Sequence, residues 1–259
     1  MIRYSFYKNN RHAYLKSILP EFGKKLLDAK GMVYDEKHPD IIFVFGGDGT
    51  LLHAVKDLYK KKAPFMLIND GTLGFYKEYD LKELDKLVAS FDFDNLTLER
   101  HHFIRLQDQY SHESLACNEF LCASSIRTLN FAVYVNSSYF MEVHGSGVCI
   151  SSSFGSTGYN HSLGGTLFTD DSSLELTLIA PIRNKVYHPL VSSLVTSKGD
   201  HIGIEVLNDI EYDLAGDMVD IPAMVGKKFS VDVARETFAI AHVKPFSPYQ
   251  RMRKGFIEN

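Results

Sequence analysis

The stretch "FVFGGDGTLL", Phe43 to Leu52, carries an apolar run into three glycines wrapped around one carboxylate. Ile41 to Phe45 is a continuous β-prone run, the composition of a parallel strand covered on both faces. Leu51 to Lys62 follows with Leu51, Leu52, Val55 and Leu58 on one side of a helix. A strand, a glycine-rich turn and a helix N-terminus make an anion cradle. Glycine admits φ > 0 and close approach, several N–H groups can point at one anion, and the helix dipole adds to them. Gly46, Gly47, Gly49 and Thr50 are the candidate phosphate-binding residues. The pattern is neither G-x-x-x-x-G-K-[ST] nor G-x-G-x-x-G. Asp48 inside the cradle would by itself repel phosphate. It makes chemical sense beside a metal ion or a hydroxyl awaiting phosphorylation, and its plainer reading is a helix cap.

Outward from this turn, the first hundred residues alternate between helix and strand. Tyr14 to Lys30 has a helical period that Pro20 is expected to bend or interrupt. Pro64 to Ile68 reads as a second buried strand and Leu81 to Phe91 as an amphipathic helix, so the expected fold here is a doubly wound, Rossmann-like α/β domain. Beyond residue 100 come short strands: Leu129–Val135 and Tyr139–His144 about an Asn136-Ser137-Ser138 turn, then Glu175–Ile179, His201–Leu207, Phe229–Val233 and Thr237–Val243. The last two flank Arg235-Glu236, read as another hairpin. A β-sandwich is expected, with one helical insert at Gly155–Leu163. The basic tail Ser247–Phe256 is expected to form a helix packing back on the first domain. The expected domains are 1–99 plus 246–259, and 100–245.

The 259 residues are 45% hydrophobic and 23% charged, with a formal charge of -4, so no global basic field draws in nucleic acid or anionic membrane. No run approaches ~18 apolar residues, and the first ten residues lack a signal peptide's apolar core, so a cytoplasmic protein is expected. Three cysteines without CxxC spacing read as reduced thiols, and eleven scattered histidines show no zinc pattern.

GGDGT after a buried strand resembles the superfamily of NAD kinases, diacylglycerol and sphingosine kinases and, as GGDGS, phosphofructokinases. Cys117-Asn118-Glu119-Phe120 resembles the "NE" motif of NAD kinases. Phe154-Gly155-Ser156-Thr157-Gly158-Tyr159-Asn160-His161-Ser162-Leu163-Gly164-Gly165 resembles their "GSTAYN-x-S-GG" segment, and Asp70 to Phe75 their "N-x-G-x-LGF" stretch. These occur in the family's order across nearly the whole chain. The resemblance implies transfer of the γ-phosphoryl of ATP to the 2'-hydroxyl of the adenosine ribose of NAD, with Mg2+ or another divalent cation. By carry-over, Asp48 is the catalytic carboxylate, with Gly49 beside it. Asn118 and Glu119 hold the adenosine, and Thr157, Gly158, Tyr159 and Ser162 line the nucleotide pocket near Phe75. Ala180 and Asp217 complete a neighbouring subunit's site in a homo-oligomer.

The chain also departs from the family. His144-Gly145-Ser146-Gly147 stands where many bacterial members have Arg-Gly-Asp-Gly, Phe154 replaces a small hydroxyl residue, and Gly158 replaces Ala. Ser146 forfeits a charge-assisted contact, so His144, Ser146 and Phe154 are site positions with altered chemistry. Two other readings compete: a diacylglycerol-type lipid kinase, which usually has Glu where His53 stands, and a silent NAD(P)-binding regulator, motivated by Ser146.

Overall fold

In a computed structural model that describes residues 1–8, 14–71, 74–217, 219–221, 227–243 and 245–258, the chain divides into two units. Met1–Arg100 and Phe238–Asn259 make the first, and His101–Thr237 the second. The first opens with β1 (Arg3–Lys8), α1 (Leu15–Lys30), β2 (Val33–Tyr34), β3 (Ile41–Phe45), α2 (Asp48–Leu58), β4 (Phe65–Asn69), β5 (Tyr79–Asp80) and α3 (Leu84–Ser90). These strands are parallel, in the order β2-β1-β3-β4-β5. Every residue of β3 and β4 is buried, as a central strand clothed on both faces requires. Ile41, Phe43 and Phe45 join Leu15, Phe22 and Leu26 of α1 and Leu87 of α3 in one core, where Phe22 meets Phe43 edge-on at 5.4 Å. Helix α2 buries Leu51, Ala54 and Val55 and packs on β3 and β4. In such a sheet the ligand end is the carboxyl end of the strands, which is where Gly46 follows β3.

Helix α1 runs unbroken through Pro20, contrary to expectation. Pro20 is solvent-exposed, and the carbonyl deprived of its N–H belongs to exposed Lys16, within reach of water.

The second unit is built from β6 (Thr97–Asp108, from His101 onward), β7 (Glu113–Ala116), β8 (Glu119–Ala123), β9 (Leu129–Val135), β10 (Ser138–Gly145), β11 (Gly147–Ser151), α4 (Tyr159–Ser162), β12 (Glu175–Ile179), β13 (Ser193–Val195), β14 (Ile202–Val206), β15 (Asp213–Gly216), β16 (Val219–Asp220) and β17 (Lys228–His242, as far as Thr237). Strands β10-β9-β14-β17-β6-β7 form one layer and β13-β12-β11-β8-β15-β16 the other. Ile104, Phe131, Val133 and Ile204 of the first meet Phe120, Ile150, Leu176 and Leu178 of the second in a single core. This is the expected β-sandwich. Asn136 and Ser137 both take left-handed backbone (φ 52° and 66°), giving the tight mirror-image turn whose twist suits a hairpin.

The hairpin expected at Arg235-Glu236 does not form. Lys228–His242 is one strand of 15 residues, and Arg235 and Glu236 are simply exposed positions along it. Neither residue reverses a chain readily, and none of the neighbouring residues is Gly, Pro or Asn. The chain therefore re-enters the first unit at Phe238, inside a strand, and not at 246. Ile240 pairs in parallel with Phe65 of β4. Helix α5 (Pro248–Phe256) follows, with Pro248 in its first turn and the Ser247 hydroxyl accepting from the Gln250 amide, and it packs back on this unit through Phe256 and Arg251.

Candidate active site

The glycines of the first unit's turn are not equivalent. Gly46 has φ 154°, and a Cβ there would lie 2.3 Å from Thr50 Oγ1, so the turn itself demands glycine. Gly47 and Gly49 have neither positive φ nor any atom within 4 Å of where a Cβ would stand. Among the described residues nothing requires glycine at either, so the backbone amides at the start of α2 are open to close approach.

Asp48 does not cap α2. Its Oδ2 accepts from the Phe75 amide at 2.8 Å and its Oδ1 from the Tyr76 amide at 3.0 Å. Each oxygen keeps acceptor capacity for a hydroxyl, so a half-buried carboxylate stands fixed among amides that suit phosphate. Phe75 contributes an N–H to this arrangement, while its ring packs on Phe256. Thr72 and Leu73 of the Asp70–Phe75 stretch lie outside the described residues.

In the second unit, Cys117 and Asn118 form the bend between β7 and β8. Asp217, with left-handed backbone (φ 49°), accepts from the Cys117 amide at 2.6 Å and the Asn118 amide at 2.7 Å, and its own N–H donates to the Glu119 carbonyl. It braces the bend from within. Gly155 stacks directly on Asn118: a Cβ there would fall 2.3 Å from the Asn118 carbonyl oxygen. The buried Ser152 hydroxyl donates to the Cys117 carbonyl and accepts from the Gly155 amide, tying the two segments together. Gly158 overlies the bend, and a Cβ there would sit 3.7 Å from Asn118 Nδ2 and 3.9 Å from Glu119 Oε2.

Two buried atoms of this bend, Asn118 Oδ1 and Glu119 Oε2, have no hydrogen-bond partner among the described residues. An unmet buried acceptor costs about 1–3 kcal/mol, so each marks a place for a ligand's polar group. Burial, with the Asp217 carboxylate nearby, pushes Glu119 up to about 8, so near neutral pH it carries a proton and can donate as well as accept. Tyr159 is 45% exposed, Ser162 is exposed and Thr157 is half-buried.

A network that the sequence did not announce holds this segment. Fully buried Glu175 accepts from Asn160 Nδ2 at 2.7 Å and from the Thr166 amide, and Thr177 donates to Asn160 Oδ1 at 2.7 Å. Asn160 belongs to the quoted motif, but Glu175 and Thr177 sit on β12, and only alternation along an apolar strand could have flagged them.

His144, Ser146 and Ala180 come together elsewhere on the same unit. The Ser146 amide donates to the Ile179 carbonyl, the Ile182 amide donates to the His144 carbonyl, and Ala180 is exposed with φ 43°. The His144 ring lies 3.9 Å from that of Tyr187 and 3.1 Å from Glu142. Phe154, expected to face a ligand, is instead buried with its ring 4.7 Å from His101, because so large an apolar side chain is better sheltered than exposed. The three cysteines are buried thiols. Burial pushes Cys122 up to about 12 and raises Cys149 too, so neither is a nucleophile.

Open backbone amides around a fixed carboxylate, on a doubly wound sheet, place the chain in the class of kinases. Comparison with known proteins agrees. The family model for the ATP-NAD kinase N-terminal domain matches residues 27–91. An NAD kinase of Lysinibacillus sphaericus (strain C3-41) is 31% identical over 248 residues, spanning 93% of this chain and 94% of the relative. NAD kinase 1 of Halalkalibacterium halodurans is 31% identical, spanning 90% and 91%. Among solved structures, yeast NADH kinase complexed with NADH superposes with a TM-score of 0.79 at 17% identity, covering 100% of this chain and 89% of that one. An NAD kinase from Archaeoglobus fulgidus in complex with ATP gives 0.71 at 19% identity, covering 97% and 99%. The chain belongs to the NAD kinase family. It is an enzyme, a kinase, and the lipid-kinase and silent-regulator readings fall away.

Proposed function

We propose that this enzyme transfers the γ-phosphoryl of ATP to the 2'-hydroxyl of the adenosine ribose of NAD, giving ADP and NADP. The observation that carries the reading is the pairing of one carboxylate with open glycine amides in the first unit, and of two partnerless buried acceptors in the second. The amides of Gly47 and Gly49 bind phosphate oxygens, with Gly46 and Thr50 shaping their turn. Asp48 orients the 2'-hydroxyl. As the ribose oxygen bonds to the γ-phosphorus and the bond to ADP breaks, the hydroxyl proton passes to Asp48. A loose transition state needs little early deprotonation, so positioning contributes most.

Asn118 and Glu119 bind the adenosine, with Thr157, Gly158, Tyr159 and Ser162 around it. Mg2+ or another divalent cation would enter with the phosphates of ATP and neutralise their charge. His144, Ser146 and Ala180 serve the far end of an NAD in a homo-oligomer, and Ile126, Val186 and Leu190 offer exposed apolar surface on that unit. No helix among the described residues is long and apolar enough to cross a membrane, and we place the enzyme in the cytoplasm. Purified protein given NAD, ATP and Mg2+ should release NADP with one ADP per turnover. Absence of a 2'-phosphate on the product would overturn the assignment.

A further inference from the structure

The two amides that hold Asp48 belong to Phe75 and Tyr76, a segment with no regular secondary structure of its own. Its rigidity comes from elsewhere in the first unit. The Phe75 and Tyr76 rings meet nearly perpendicular at 5.0 Å. The Arg251 guanidinium, reaching in from α5, lies 5.1 Å from the Phe75 ring centre and 4.5 Å from those of Tyr76 and Phe246. Glu99 holds that guanidinium with two parallel hydrogen bonds of 2.7 and 2.8 Å.

Behind Glu99 stands a buried chain of charges. His242 Nε2 is 3.2 Å from Glu99 and Nδ1 is 3.0 Å from Glu78. Glu78 also accepts from the Val243 amide, and its own N–H donates to Leu67 of β4. Burial alone would lower the His242 pKa, but the two carboxylates raise it, so the imidazolium is well supported in this place. Phe246 stacks flat on His242 at 4.2 Å. Arg251 is thus bolted to the sheet at one end and pressed on Phe75 and Tyr76 at the other.

We infer that Arg251 is a positioning residue for Asp48: by fixing the Phe75 and Tyr76 rings, it fixes the two amides that aim the carboxylate. The plainer alternative makes Arg251 only an anchor for α5, which buries none of its residues. An anchor would be served by the Glu99 pair alone, and would not need its cation over the two residues that bind Asp48. The inference rests on Asp48 being the residue that orients the 2'-hydroxyl.

Two substitutions test it. Arg251→Lys keeps the charge but loses the planar fork and its stacking. It should lower kcat at least 10-fold, per folded molecule, with KM for NAD and for ATP within two-fold of the parent. Gly255→Ala adds a Cβ that would stand 2.7 Å from Phe75 Cδ2, at a helical site where Ala is the better helix former. It should displace the ring that Arg251 holds and lower kcat about three-fold or more per folded molecule, measured well below the variant's melting temperature, while KM for NAD and for ATP stays within two-fold. If Arg251→Lys folds and its kcat stays within two-fold, or if only KM moves, the inference fails. If Arg251→Lys does not fold, Gly255→Ala decides, and an unchanged kcat there overturns it. Normal turnover in Asp48→Asn would condemn the reading of Asp48 itself. Loss in Asp48→Asn beside normal turnover in Arg251→Lys would condemn only the role of Arg251.

Discussion

The two polar turns of this kinase differ in how complete they are. At Gly46–Thr50 the carboxylate has an amide on each oxygen, and the open space lies over backbone. At Cys117–Glu119 the backbone is fully braced, by Asp217 and Ser152, and the unmet capacity lies in the side chains of Asn118 and Glu119. On the proposed function, one turn is a finished device that a substrate enters. The other carries a standing cost of about 1–3 kcal/mol per orphaned atom that a bound ligand removes. A chemical step is helped by parts that need not move, whereas a binding step gains from parts left unsatisfied.

The sharpest way to break this comparison is Asp48→Asn. An amide there sets a donor against an N–H of Phe75 or Tyr76 and can no longer take the proton, so kcat should fall about 1,000-fold. Calorimetry should find NAD affinity within about three-fold of the parent, and near-normal turnover would refute the role. Next come the glycines. Gly46→Ala should cost about 2 kcal/mol or more in chemical denaturation, since both its φ and the contact with Thr50 oppose it. Gly49→Ala should leave stability within about 0.5 kcal/mol yet raise KM for ATP about 10-fold, and equal behaviour of the two variants would erase the distinction between structural and ligand-facing glycine.

Glu119→Gln probes the second turn through pH. A carboxyl with a folded pKa near 8, above an unfolded value of about 4.3, favours the folded state fully below 4.3 and loses that advantage as pH rises through 8. The ligand-free parent should therefore melt lower at pH 9 than at pH 6. Glu119→Gln should flatten that fall and be the more stable protein at pH 9 by about 1 kcal/mol or more. Parallel melting curves against pH would show that Glu119 is not the group responsible. The smallest effect is expected at Ser146. Ser146→Asp introduces a charge at a half-buried position and should shift KM for NAD about two- to three-fold, and an unmoved KM would make the serine neutral.

The core of the first unit was legible because β3 and β4 are unbroken apolar runs set between helical periods, and a buried parallel sheet leaves that trace. Two misreadings have one origin. Pro20 and the Arg235-Glu236 pair both resemble interruptions, yet both lie on exposed faces where water or an extended backbone accommodates them. The candidate residues Asp48, Asn118 and Glu119 each stand in a local motif. Their supports could not be read locally, because Asp217 lies about a hundred residues from Asn118, and Arg251 about two hundred from Asp48. Phe154 illustrates the opposite risk: a motif position named its place in the chain but not the direction its ring would take.

The single strand Lys228–His242 has a consequence for when the enzyme comes into being. The first unit is assembled from both ends of the described chain, since Ile240 pairs with Phe65 and Arg251 reaches Glu99. During synthesis the GGDGT turn is made well before the strand beside β4 and the cation over Phe75 and Tyr76, which lie about two hundred residues further along the chain. A nascent chain can build most of its sandwich while Asp48 still lacks that support. Support for the carboxylate thereby waits on a segment made long after the carboxylate itself.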